Sequence, residues 1–176
     1  MNITVFCSSA SITGDPAYTE AMRLGQLIAS AGHSVLTGGY IGSMEAVSRG
    51  ASEAGGRVVG VTCDEIESWR PVRANPWVQE ERRFATIRQR LFALIEGCDA
   101  ALALPGGIGT LTEVTVMWSH MQTGAIKVRP LVLIGPGWQE IMVTFWRVFD
   151  QHVQVRNRAL LTFAGDVEEA MDFFSV

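Results

Sequence analysis

The residues of this 176-residue chain best suited to chemistry lie in Leu104-Pro105-Gly106-Gly107-Ile108-Gly109-Thr110-Leu111-Thr112-Glu113. Three glycines and a threonine follow an apolar run and open a segment of helical pattern. Glycine lets the backbone come close to an anion, and the free N–H groups of a first helical turn point at it, so the combination suits a phosphate. It is neither a Gly-x-x-x-x-Gly-Lys-Ser/Thr loop nor a Gly-x-Gly-x-x-Gly turn after the first strand, which argues against a P-loop NTPase and a dinucleotide fingerprint. Glu113 has two readings. It is a carboxylate at the edge of a bound ligand, or it is the third helical residue of a capping box whose cap is Thr110.

A second loop of the same form, Gly38-Gly39-Tyr40-Ile41-Gly42, leads into Ser43-Met44-Glu45. Alone it reads as a tight strand-to-helix turn. Paired with the first at one sheet edge, it favours a shared ligand. Arginines 82, 83, 88 and 90 cluster at the start of an amphipathic segment. The spacing of Arg83 and Arg90, two helical turns, predicts that they share a flank. Arg82 and Arg88 read as a solvated face.

The elements that must position these groups alternate. Strands are predicted at 3–7, 34–37, 57–62, 100–104 and 130–134, with a short one near 159–161. Helices are predicted from Asp15-Pro16 to Gly32, over 43–54, through Phe84, Ile87, Leu91, Leu94 and Ile95, over 110–122, over 138–149, and from Asp166. Residues 64–82 read as irregular. This order implies one domain over 1–176, an α/β Rossmann-like three-layer fold with a mainly parallel sheet and helices on both faces. Such sheets bind ligands beyond the carboxyl ends of their strands, where both glycine loops fall.

Composition narrows the partners. A net charge of −4 offers no basic field for nucleic acid. No apolar run is long enough to span a membrane, and the N-terminus lacks a signal pattern. Cys7, Cys63 and Cys98, odd in number and set in or beside apolar runs, read as reduced thiols of a cytoplasmic protein. Neither they nor His33, His120 and His152 have metal-site spacing, so no metal is expected. Apolar residues make up 48% of the chain. That leans toward an oligomer, with Trp118, Trp138 and Trp146 as candidate surface.

The motif Pro105-Gly106-Gly107-Ile108-Gly109-Thr110-x-x-Glu113 resembles that of the LOG ("Lonely Guy") family. Val5-Phe6-Cys7-Ser8-Ser9, the 38–47 loop and the 55–61 segment resemble it too. LOG proteins are cytokinin riboside 5′-monophosphate phosphoribohydrolases that are widely mislabelled as lysine decarboxylases. The resemblance implies a Rossmann-like homodimer that hydrolyses the N-glycosidic bond of AMP or a cytokinin-like nucleotide without a cofactor. It implies Arg90 and Glu113 as the catalytic pair, with phosphate on Gly106, Gly107, Ile108, Gly109 and Thr110, and with Ser8, Gly39 and Met44 on the ribose and base side. A non-catalytic nucleotide-binding or sensing protein is the alternative. The chain departs from the family's Met-His-x-Arg-Lys at Ile87-Arg88-Gln89-Arg90-Leu91, and His120 stands where a tryptophan is expected. The single lysine, Lys127, lies in a turn, which leaves no plausible Schiff-base residue for pyridoxal phosphate.

Overall fold

A computed structural model describes residues 1–174. Its sheet has seven strands in the order β4-β3-β2-β1-β5-β6-β7, every pair parallel. The strands are β1 (Asn2–Phe6), β2 (Ser34–Thr37), β3 (Val58–Cys63), β4 (Glu80–Phe84), β5 (Ala100–Ala103), β6 (Leu131–Ile134) and β7 (Thr162–Ala164). Helices α1 (Pro16–Ser30), α2 (Ser43–Glu53), α3 (Asp64–Trp69), α4 (Ile87–Glu96), α5 (Ile108–Thr123), α6 (Pro136–Val148), α7 (Val155–Arg158) and α8 (Val167–Asp172) connect or follow them. This is the α/β Rossmann-like architecture expected from the alternation.

The continuous apolar runs divide between two cores because successive strand residues face opposite ways. Ala100, Leu102, Val132 and Ile134 pack under α1, α2 and α8. Ala101, Ala103, Leu131 and Leu133 pack against α4, α5 and α6. β1 lies between β2 and β5, so the strand order reverses there. The crevice at that switch point is where a ligand finds room between diverging loops.

Several boundaries move. The segment 64–82 is not irregular throughout: it holds α3 and the start of β4. β4 reads Glu-Glu-Arg-Arg-Phe and escapes an apolar pattern because it is an edge strand whose charges pair locally. Glu80 meets Arg82 and Arg57, and Arg83 meets Asp64 and Glu67. Arg83 therefore sits on a strand and Arg90 on a helix, and they share no flank. Phe84 ends β4, and α4 begins after a Thr86–Gln89 capping box. The last strand is 162–164, three residues beyond the expected place, because 155–158 forms a turn of helix.

The tryptophans are also corrected. Trp118 and Trp138 are buried, and Trp118 donates to the Asn157 carbonyl at 2.7 Å. Trp138 and Met142 turn α6 toward the core, while Ile141, Phe145, Val148 and Phe149 form an exposed apolar row. Cys7, Cys63 and Cys98 are free and buried. No helix of the described residues is long and apolar enough to cross a membrane.

Candidate active site

One cleft opens at the carboxyl edge of the sheet, with a volume of about 400 Å³. Its walls come from the loop after β1 (Cys7–Ala10), the loop after β2 (Tyr40), the start of α2 (Met44), α3 and the residue after it (Ile66, Trp69, Arg70), Arg90 of α4, and the start of α5 (Gly107–Thr110, Glu113). Of the residues expected from sequence, Ser8, Met44, Arg90, Gly107, Ile108, Gly109, Thr110 and Glu113 meet there. Gly39 and Gly106 do not line it.

Gly39 is a turn residue. Its φ of +76° favours glycine, and an added Cβ would lie 3.1 Å from the Gly60 Cα. Gly106 folds over Thr110, where a Cβ would fall 2.2 Å from Oγ1. Gly107 and Gly109 differ from both. Neither has positive φ, and a Cβ on either would meet nothing within 4 Å. No group of the described chain requires glycine at these two positions, so the space is left open for something that approaches the backbone. Both sit at the N-terminus of α5, whose N-cap is Gly107 with no side-chain cap. The four leading N–H groups of a helix have no partner within it, and the dipole there favours an anion.

Because α5 begins at Ile108, Thr110 lies inside the helix and is not its cap. The capping-box reading of Glu113 fails. One turn further along, Glu113 turns into the cleft with its side chain 14% exposed, and its Oε1 lies 3.8 Å from Arg90 Nη1. Burial raises its pKa from 4.5 to about 7, with the Arg90 charge pulling the other way. Both its protonated and its ionised forms are therefore present near pH 7.

Arg90 is held on several sides. Its Nε donates to the Val61 carbonyl at 2.7 Å, Nη2 reaches Met44 Sδ at 3.9 Å, and the guanidinium carbon lies 5.6 Å from the Tyr40 ring centroid. Gly38 makes the room: a Cβ there would sit 1.8 Å from Nη2. Tyr40 is fixed in turn by donating to the Cys63 carbonyl and accepting from the Cys63 N–H. Asn75 clamps the same loop, its Nδ2 donating to the Gly39 and Tyr40 carbonyls at 3.1 and 2.9 Å. Sequence reading missed Asn75 and Tyr40 because their partners lie more than twenty residues away. It missed Arg70, and it placed Trp69 only within the long 64–82 segment, whose length marked it as functional or an interface, because that segment carried no periodic pattern.

Two neighbours of the pair do little chemistry. Burial and the Glu113 charge push the Cys7 thiol far up, so it stays protonated and is no nucleophile. Leu91, where the resemblance expects lysine, packs against the core, and Arg88 is exposed. Lys127 is exposed and precedes β6, at the sheet edge opposite the cleft. No lysine lines the cleft, so its residues do not fit a pyridoxal phosphate Schiff base.

The fold and the cleft together define a class: a parallel α/β protein with an anion-ready helix terminus and a buried Arg–Glu pair at its switch point. A family model described as "Possible lysine decarboxylase" matches residues 44–174. A rice protein (Oryza sativa subsp. japonica) named "Probable cytokinin riboside 5′-monophosphate phosphoribohydrolase LOGL9" is 30% identical over 168 residues, covering 93% of this chain and 73% of its own. A cytokinin riboside 5′-monophosphate phosphoribohydrolase of Rhodococcoides fascians is 31% identical over 136 residues, 76% of this chain and 67% of that one. The chain belongs to this family, the LOG proteins. A molybdenum cofactor binding protein of Rippkaea orientalis shares the fold, with a TM-score of 0.75 at 23% identity over 98% of this chain and 94% of that one.

Proposed function

We propose that the protein hydrolyses the N-glycosidic bond of a nucleoside 5′-monophosphate, such as AMP or a cytokinin-like nucleotide, to free base and ribose 5-phosphate. The observation that carries this is the buried Arg90–Glu113 pair set one turn beyond the open glycines of α5. The names of the relatives support the same reaction class. The phosphate lies on the N–H groups of Gly107, Ile108, Gly109 and Thr110, with Gly106 shaping the loop. Ser8, Met44 and Tyr40 line the ribose side, and Gly39 acts as the turn that carries Tyr40.

Cleavage runs through an oxocarbenium-like state at C1′. The C1′–N bond breaks with its electrons going to the base. Water adds to C1′ and loses a proton to Glu113, which passes it to the departing base, so that the base leaves neutral and the carboxylate is regenerated. The ionised carboxylate also stabilises the positive charge at C1′. Arg90 remains cationic and orients Glu113 and a ribose hydroxyl. This reaction needs neither a metal nor an organic cofactor. A homodimer goes with this reading, supported by the apolar row of α6, and so does a cytoplasmic site of action.

The test is incubation with a panel of nucleoside monophosphates, measuring ribose 5-phosphate and free base. Release that depends on Glu113 supports the reading. A second reading, a nucleotide-binding protein without turnover, draws on the packing of Leu91 into the core in place of a lysine. Tight binding of the same panel with no product supports it.

A further inference from the structure

Arg70 stands apart among the thirteen arginines. It lines the cleft and is half-buried, and its Nε is fully enclosed with no hydrogen-bond partner. Most other arginines meet a carboxylate or a carbonyl among the described residues, and Arg88, Arg147 and Arg156, which meet none, are exposed to water. The enclosed Nε is out of a ligand's reach, but it holds the half-buried guanidinium in place, and no hydrogen bond or ion pair to another described residue uses its terminal nitrogens, which are left to meet a ligand in the cleft. The guanidinium carbon lies 5.6 Å from the Trp69 ring centroid. Trp69 also lines the cleft and is 78% exposed, an unusual setting for the largest aromatic side chain.

The segment that carries the two is anchored. Glu67, its side chain 6% exposed, accepts from both terminal nitrogens of Arg83 at 3.0 and 2.9 Å and also pairs with Arg73. Glu65 accepts the Ile87 N–H at 2.7 Å, tying α3 to the start of the helix that bears Arg90. Ile66 packs against the core. These contacts fix the backbone of α3, whose end presents Trp69 and Arg70 to the cleft.

Resting on the nucleotide reading above, we infer that Trp69 and Arg70 form the base subsite, and that among the nucleoside monophosphates of that reading it holds 6-oxopurines more tightly than the 6-amino purine of AMP, which remains a weaker substrate. The α5 terminus already serves the phosphate, and the ring beside Arg70 calls for a planar partner. Bases stack on an exposed tryptophan whatever their identity. Selectivity comes from the arginine, which has donors only. A 6-oxopurine presents two acceptors, O6 and N7, to a bidentate guanidinium, whereas adenine presents one acceptor beside an amino donor.

IMP and AMP share ribose, phosphate and N7 and differ at position 6 and in the proton on N1, and with ribose 5-phosphate they make the probe set. Binding by calorimetry and release of ribose 5-phosphate are measured for each. IMP is expected to exceed AMP by roughly tenfold or more. Arg70→Met brings the ratio close to one by weakening IMP, and Arg70→Lys does the same in part, because an ammonium lacks the fork. Trp69→Ala weakens both nucleotides alike, and Trp69→Phe restores them. Equal affinity for IMP and AMP, or a preference that survives Arg70→Met, overturns the inference. So does an Arg70→Met variant that weakens ribose 5-phosphate as much as IMP, which would make the arginine a phosphate ligand. If ribose 5-phosphate binds and the nucleotides are indistinguishable, only this inference falls. If none of the three binds, the nucleotide reading falls with it.

Discussion

Replacing Glu113 by glutamine separates catalysis from stability with opposite signs. In the unfolded chain this carboxyl titrates near 4.5, and in the folded protein near 7, because burial opposes its charge more than Arg90 favours it. Between those values the folded state keeps a proton that the unfolded state releases. Stability therefore falls as pH rises from 4.5 to 7 and stays low above 7. At about 1.4 kcal/mol for each tenfold in proton affinity, the cost at pH 8 is roughly 3 kcal/mol. Glutamine is neutral at every pH and close in shape to the protonated acid. Glu113→Gln is thus expected to raise the melting midpoint at pH 8 by about 6–12 °C for a chain of this size. At pH 5, where the wild-type acid is already protonated, the midpoints should nearly coincide. Turnover of a nucleoside monophosphate should fall by about 10²–10⁴-fold, the usual worth of a positioned acid–base group. Wild-type activity should rise with pH through a limb near 7 as the carboxylate forms. The assays are differential scanning fluorimetry at pH 5 and 8 and ribose 5-phosphate release from pH 5.5 to 8.5. A variant that melts lower at both pH values, as loss of a helix cap would cause, refutes the burial argument. Turnover that stays within tenfold of wild type refutes the role of Glu113.

Other outcomes follow from the same geometry. Gly109→Ala should leave the protein as stable or up to about 1 kcal/mol more stable, since helix interiors favour alanine and no atom meets the new methyl. Its affinity for ribose 5-phosphate should drop at least tenfold, as read by calorimetry. Gly38→Ala should expel the Arg90 guanidinium, whose Nη2 lies 1.8 Å from the added carbon, and cut turnover by about a hundredfold or more; a crystal structure of the variant would reveal the displaced side chain. Val148→Asp, on the exposed row of α6, should convert the proposed homodimer to a monomer in sedimentation velocity with little change in the melting midpoint of the monomer fold. An unchanged sedimentation coefficient would remove that face as the contact.

Much of the fold was legible in the sequence because it depends on local order. Four- to six-residue apolar runs between amphipathic segments can be satisfied in few ways other than strands buried between helices, and β1, β2, β5 and β6 follow from that alone. β4 was not legible: an edge strand of charged residues has no pattern that distinguishes it from a loop, and its partners are supplied by β3 and α3. In α6 helical spacing shows which apolar residues align but not which row meets a neighbour, so the burial of Trp138 and Met142 and the exposure of Ile141 and Val148 came only from packing.

The candidate site divides along the same line. Glycines, a following helix and a carboxylate within ten residues of each other are short-range facts, so the anion-ready loop and the family resemblance were in the sequence from the start. What the sequence could not decide was whether Glu113 caps a helix or enters a cleft, since moving the N-cap of α5 three residues, from Thr110 to Gly107, changes the answer. Its pKa near 7, the pocket that Gly38 leaves for Arg90, and the unpaired Arg70 beside Trp69 all arise from burial and from contacts between distant segments. Those properties belong to the packed molecule, because desolvation and close approach exist only once the chain has folded around them.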